Sequence, residues 1–396
     1  MQKNIERNKA VRLGVICTFA YLACYCARNI LSAISPKMIE TSAFTVESIG
    51  TMSSLCMIAY AVGQLINGTL GDRIKSKYMV CGGLFLSGVC NFLIPHFNSI
   101  DFVIVAYTMS GFFLSMIFAP ITKVVAENTL PKYASRCCLG FTVASFLGNP
   151  AAGLIAILFS WKAAFLVSGI ILVGMSILCY LFFSMCERKG YIRRSVSQKN
   201  GKTGGKIKCL LENQIVKFAW IAVLTGIIRT TVVFWVPTYA YQHLGFSTKD
   251  SAVVFTIVTL AKSCSPYINN LLIYEKVFKR NMNRTLLLMF SLSAVCFALM
   301  YLVTNAVGNI ILLVLALMTS AGASTMMFSV YCPSLKHTGM VSAATGFLDF
   351  ISYAAASVAN QLFSRAAVDM GWGNLILIWA ALMVCGVIVS LPYKRK

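Results

Sequence analysis

Two arginines, Arg28 and Arg229, stand in the middle of long apolar runs, and each is followed eight residues later by a proline, Pro36 and Pro237. A cation near the bilayer centre costs about 2.5 to 3.5 kcal/mol even on the lenient insertion scale, so its retention points to an anionic partner. The planar guanidinium fork suits paired hydrogen bonds to phosphate or carboxylate oxygens. The apolar runs hold further polar candidates: Lys123, Lys262 and Asp349, with Tyr21, Tyr25, Tyr60 and Tyr353. Tyr25 and Tyr21 precede Arg28 by three and seven residues, hence on the same helical face. Phenolic hydroxyls at such positions either complete a phosphate shell or pack between helices. This is a chemistry of binding and release. No nucleophile with a neighbouring base, no cysteine and histidine metal cluster and no nucleotide loop is present in the sequence, so no enzyme, metal or cofactor is expected. Gly201-Lys202-Thr203 lacks the glycine a phosphate loop needs five residues before its GK, where Val196 stands.

The elements that must carry these residues follow from composition. With 58% apolar residues, 12% charged residues and a mean hydropathy of +0.77, the chain is excluded from the soluble globular class. A hydrocarbon core of about 30 Å needs roughly 20 apolar residues per helix. Twelve runs qualify, near residues 12–35, 49–70, 78–96, 102–126, 137–159, 163–185, 215–241, 251–273, 284–304, 308–331, 340–363 and 373–392. The one long polar stretch, residues 186–213, divides them six and six and reads as a flexible cytoplasmic linker. The expected fold is an all-α membrane protein: twelve transmembrane helices in two six-helix pseudo-symmetric bundles, 1–185 and 214–396.

The net charge of +22 invites a nucleic-acid partner, and its distribution argues against one. Lys37, Lys162, Lys249 and Arg365 fall outside, and Arg28, Lys123, Arg229 and Lys262 fall within spans; the rest of the 34 Lys and Arg collect on one side. By the positive-inside rule that side is the cytoplasm and both termini lie there. A basic surface facing anionic membrane lipid needs no nucleic acid. The fifteen cysteines lie in apolar spans or cytoplasmic segments, as small packing residues. The first span is too long for a cleaved signal peptide. The compact length and lack of a targeting segment suit a monomer in a bacterial cytoplasmic membrane.

Laid over each other at an offset of about 201 to 203 residues, the halves match beyond Arg and Pro. Phe44-Thr45-Val46-Glu47-Ser48 finds Phe246-Ser247-Thr248-Lys249-Asp250-Ser251, and Asp72-Arg73 finds Glu275-Lys276. Two repeats facing each other place a substrate site at their interface near the midplane. Two cations about 10 Å apart there repel by roughly 1.7 kcal/mol at an effective dielectric of about 20, and a phosphate dianion between them reverses the sign. Asp349 is the one acid deep in a span, so it cannot neutralise both arginines. Lys262 and Asp349 either pair with each other or touch substrate, Lys262 a second anionic group and Asp349 a sugar hydroxyl or a proton. Lys123 either binds substrate or pairs with Glu127 one turn on.

The stretch Gly68-Thr69-Leu70-Gly71-Asp72-Arg73-Ile74-Lys75-Ser76-Lys77 resembles the GxLxDRxxxK signature of the major facilitator superfamily. Within it the chain is similar to the organophosphate:phosphate antiporters in four segments: YLACYCARNILSAISP, GIIRTTVVFWVPTYA, EKVFKR and GMVSAATGFLDFISYAAASVA. The resemblance implies a secondary transporter that exchanges a sugar phosphate or glycerol phosphate for inorganic phosphate by alternating access. It also implies a conformational motif at Gly68, Asp72 and Arg73, with Glu275 and Lys276 as its second copy. Members that carry glycerol 3-phosphate have a His in the fifth helix, and around Leu147 to Asn149 this chain has none. A Lys after the first-helix Arg is Asn29 here, and a second-helix Lys is Gln64. The phosphate clamp is kept while the groups reading the rest of the ester differ. Two other readings stay open: a proton-coupled carrier of another organic solute cycling its proton on Asp349, and a transporter-like ligand sensor.

Overall fold

The structure, a computed structural model, describes residues 2–41, 44–70, 74–97, 99–192, 214–279, 281–335 and 341–391. They form twelve long helices and, among the described residues, no strand: α1 Gln2–Glu40, α2 Val46–Leu70, α3 Ser76–Leu93, α4 Ile100–Asn128, α5 Pro131–Leu158, α6 Trp161–Arg188, α7 Ile215–Gln242, α8 Thr248–Val277, α9 Met282–Leu302, α10 Ala306–Tyr331, α11 Val341–Asp369 and α12 Gly371–Ser390. Among the described residues ten are long and apolar enough to cross a membrane, and α5 and α11 are 28 and 29 residues long. Helices prevail because lipid offers no partner for a backbone N–H or C=O, and a helix satisfies both within its own segment. Leu158 and Leu302, 73% and 72% exposed, suit a surface wetted by hydrocarbon.

Several helices outrun their hydropathy. The first, expected over 12–35, spans 39 residues, about 58 Å at 1.5 Å per residue. The eighth, expected over 251–273, continues through a π-helical stretch at Ile268–Val277, so Glu275 and Lys276 ride on its exposed last turns rather than in a loop. Gly68 lies in the last turn of α2, while Asp72 and Arg73, and most of the linker 186–213, lie outside the described residues.

The chain divides into two compact units, one of residues 1–200 with Thr248–Thr256, the other of 201–247 with 257–396. Each unit repeats the same pairs of neighbours. In the first, α1 packs on α5, α2 on α4, and α3 on both α4 and α6; in the second, α7 packs on α11, α8 on α10, and α9 on both α10 and α12. The repeat reaches single side chains. Buried Asn67 of α2 donates to Ser115 Oγ of α4 at 2.7 Å, and buried Asn269 of α8, about 202 residues on, donates to the Met318 carbonyl of α10 at 3.0 Å. In lipid such polar contacts tie helices where apolar association alone gives little.

Pro36 and Pro237 both sit inside their helices. A helical proline leaves the carbonyl four residues earlier without its N–H. At Pro36 that carbonyl belongs to Ser32, and Ser35 Oγ donates to it at 2.8 Å. Helix α1 therefore continues through its proline to Glu40.

Candidate functional site

In the first unit the guanidinium of Arg28 lies against two tyrosine rings. Its Cζ is 4.5 Å from the Tyr25 ring centroid, one turn back on α1, and 5.1 Å from that of Tyr60 on α2. Rings over the faces of a guanidinium stabilise it by about 0.5 to 2 kcal/mol each and add no negative charge. The N–H groups lie in the plane between those faces, where an oxyanion is recognised. From α4, Tyr107 Oη donates to the backbone carbonyl of Arg28 at 2.9 Å. Asn29 turns back on its own helix, its Nδ2 donating to the Tyr25 carbonyl at 2.6 Å.

Helix α5 sets the depth of this arginine's setting. A Cβ on Gly148 would overlap the Tyr25 side chain and stand 3.2 Å from the Cys26 backbone nitrogen, so only glycine lets α5 approach α1 one turn before Arg28. This is the segment where the sequence lacks a histidine, and Tyr25 fills the space beside it. Tyr21 is buried among the rings of Tyr25, Phe118 and Phe141 at 4.9, 5.1 and 6.1 Å. Lys123 is half-buried on α4, sixteen residues and thus about 24 Å along the helix from Tyr107, while Glu127 is exposed. That spacing keeps Lys123 away from the level of Arg28.

In the second unit Arg229 lies in a π turn of α7, Ile227–Val232. π turns are rare and gather at functional sites. Its Cζ is 5.8 Å from the ring of Phe328, itself in a π turn of α10, and 5.9 Å from the ring of Tyr353 on α11. Asp349 Oδ1 stands 3.9 Å from Arg229 Nη2, a charge contact too long for a hydrogen bond. Lys262 Nζ of α8 donates to the Arg229 carbonyl at 3.0 Å. The structure thus brings Lys262 and Asp349 to the same arginine.

Close approach of α7 and α11 fixes this geometry. A Cβ on Gly226 would stand 2.6 Å from the Ser352 carbonyl oxygen and 2.7 Å from its Cα, so Gly226 seats Ser352, and Tyr353 follows beside Arg229. Ser352 Oγ donates to the Ala222 carbonyl and Thr231 Oγ1 to the Ala356 carbonyl, each at 3.0 Å. In both units a glycine one turn before the arginine, or facing that turn, sets an aromatic ring beside it.

Tyr107 and Phe328 escape sequence reasoning, since aromatic residues in apolar spans are common and their partners are distant in the chain. One signal pointed to Lys262: it lies about 202 residues after Tyr60, the offset that relates the halves. Among the described residues no cluster of His, Cys, Asp and Glu has the makings of a metal site.

Comparison with known proteins places the two arginine settings in context. The chain is 22% identical to the membrane sensor protein UhpC of Salmonella typhimurium, over 94% of this chain and 89% of that one. It is also 22% identical to the glycerol-3-phosphate transporter of Bacillus subtilis, over 91% and 87%. Among solved structures, a bacterial homolog of the human lysosomal transporter Spinster superposes with a TM-score of 0.79 at 11% identity, covering 96% of both chains, which shows the fold. The family model for the Major Facilitator Superfamily matches residues 17–360, most of the sequence, and the protein belongs to that superfamily.

Proposed function

We propose that the protein is a secondary active transporter that moves a phosphorylated small molecule, of the sugar phosphate or glycerol phosphate kind, in exchange for inorganic phosphate by alternating access. Arg28 and Arg229 bind the phosphoryl group. The observation that carries this reading is the repeated setting of the two arginines, each faced by two aromatic rings and held at its backbone carbonyl by a side-chain donor. Aromatic faces stabilise a guanidinium without using its N–H edge, which is the part that recognises an oxyanion. The names of the relatives, a glycerol-3-phosphate transporter among them, point the same way. Tyr25, Tyr60 and Tyr353 line the arginines, and the protein works as a monomer in the cell membrane with both termini cytoplasmic.

Counterflow tests the proposal. Proteoliposomes loaded with phosphate take up labelled phosphate and a panel of phosphate esters, and Arg28→Lys or Arg229→Lys abolishes this exchange. Intact exchange in both variants would show that paired recognition by guanidinium is wrong. A second reading, a ligand sensor, draws on the sensor name of the Salmonella relative. Phosphate ester binding without movement across the bilayer would favour it.

A further inference from the structure

We infer that Tyr107 and Lys262 are the positioning residues of the two arginines, each fixing its arginine through that arginine's own backbone carbonyl; their effect on transport rests on the phosphate-exchange reading. In the first unit, α2 supplies a ring over Arg28, from Tyr60, and α4 supplies the carbonyl donor, Tyr107 Oη at 2.9 Å. In the second unit the two corresponding helices exchange roles, although Phe328 does not match Tyr107 at the offset that relates the halves. There α8 supplies the carbonyl donor, Lys262 Nζ at 3.0 Å, and α10 supplies the ring, from Phe328. Tyr60 and Lys262 occupy matching positions about 202 residues apart, yet one faces a guanidinium and the other a backbone. The arrangement is kept although the residues that make it have changed.

Burial and backbone form explain why a donor is placed at each carbonyl. Tyr107 is 3% exposed, with its ring edge-to-face on Phe165 at 6.1 Å, so its hydroxyl serves the interior and not a surface that substrate reaches. It ties α4 to α1 at the residue whose side chain bears the charge. Arg229 lies within a π turn, where the backbone ladder is irregular and the direction of the side chain depends on how the turn is held. A donor from α8 inside that turn holds it from outside the helix. Binding groups need this kind of support, because a guanidinium whose backbone shifts loses paired geometry before it loses charge.

The test has a readout that does not depend on transport. Full-length protein in proteoliposomes is treated with phenylglyoxal, and modification of Arg28 and Arg229 is followed separately by peptide mass spectrometry. Tyr107→Phe is expected to change the labelling rate of Arg28 by about three-fold or more and leave Arg229 as it was; Lys262→Met does the reverse. Unchanged labelling at a variant's own arginine overturns the inference, and so does an equal change at both arginines, which marks general loosening. In exchange assays each variant raises the half-saturation concentration for phosphate by about five- to ten-fold. That effect disappears when Arg28→Lys is combined with Tyr107→Phe, or Arg229→Lys with Lys262→Met, measured on whatever binding of labelled phosphate remains. If Lys262→Met weakens binding equally in the Arg229→Lys background, Lys262 acts on substrate directly and the inference fails. Should the wild-type protein exchange no phosphate, the transport reading falls, while the labelling rates still decide the positioning role.

Discussion

Replacing Asp349 with Asn removes one charge beside Arg229 and keeps the size of the side chain. The carboxylate oxygen stands 3.9 Å from the guanidinium nitrogen, with the two side chains 28% and 32% exposed. Coulomb's law at that separation gives about 4 kcal/mol at an effective dielectric of 20 and about 1 kcal/mol in bulk water. Both side chains are about a third exposed, so the lower figure is taken, and about 1 kcal/mol corresponds to about five-fold in affinity. On the proposed reading Asp349 and phosphate compete for one guanidinium, so Asp349→Asn is expected to lower the half-saturation concentration for phosphate about five-fold. Maximal exchange slows as the bound anion leaves less readily. The assay is counterflow in proteoliposomes at fixed ionic strength, repeated at high salt, where screening shrinks the difference. Weaker phosphate binding or lost exchange in this variant would refute the competition and turn attention to a proton or a substrate hydroxyl on Asp349.

Two further outcomes are expected. Gly148→Val drives a branched side chain into Tyr25 and the backbone at Cys26, costs about 1 to 3 kcal/mol of packing and lowers the melting temperature measured in detergent; an unchanged melting temperature would mean that α5 does not seat as described. The pH dependence of ester affinity follows the ligand: a phosphomonoester loses its second charge below a pKa of about 6, while arginines stay charged throughout. Half-saturation for a phosphate ester therefore rises as pH falls from 7 to 5, and the opposite trend would favour proton-coupled uptake on Asp349.

The sequence and the structure overlap most where physics acts locally. Twelve helices were legible because a bilayer imposes length and apolarity on each span separately. The repeat of Arg28 with Pro36 and Arg229 with Pro237 was legible because intramembrane charge is rare, and the structure sets Tyr25, Tyr60 and Tyr353 beside those arginines. Lys262 and Asp349 were legible as candidates, and a pairing of Asp349 with one arginine was open in the sequence, though the meeting of both residues at Arg229 was not. Hydropathy ranks residues along one helix and is silent about which helix faces it. For the same reason Tyr107 and Phe328 were hidden, as was Gly148, whose importance is the backbone it lets approach. The π turns at Ile227–Val232 and Ile268–Val277 also left no trace in hydropathy, since a change from four- to five-residue spacing barely alters the average over a span.

The serine at position 35 has a mechanical consequence. A proline inside a helix ordinarily invites a water molecule to the orphaned carbonyl, and Ser32, Ser35 and Pro36 are all buried away from any. Here Ser35 carries its own substitute donor to the Ser32 carbonyl. Because that bond closes within one turn of α1, the backbone beyond Arg28 is satisfied without help from another helix, and Lys37 is left to tie the next turn to α5 through the Ala156 and Phe159 carbonyls.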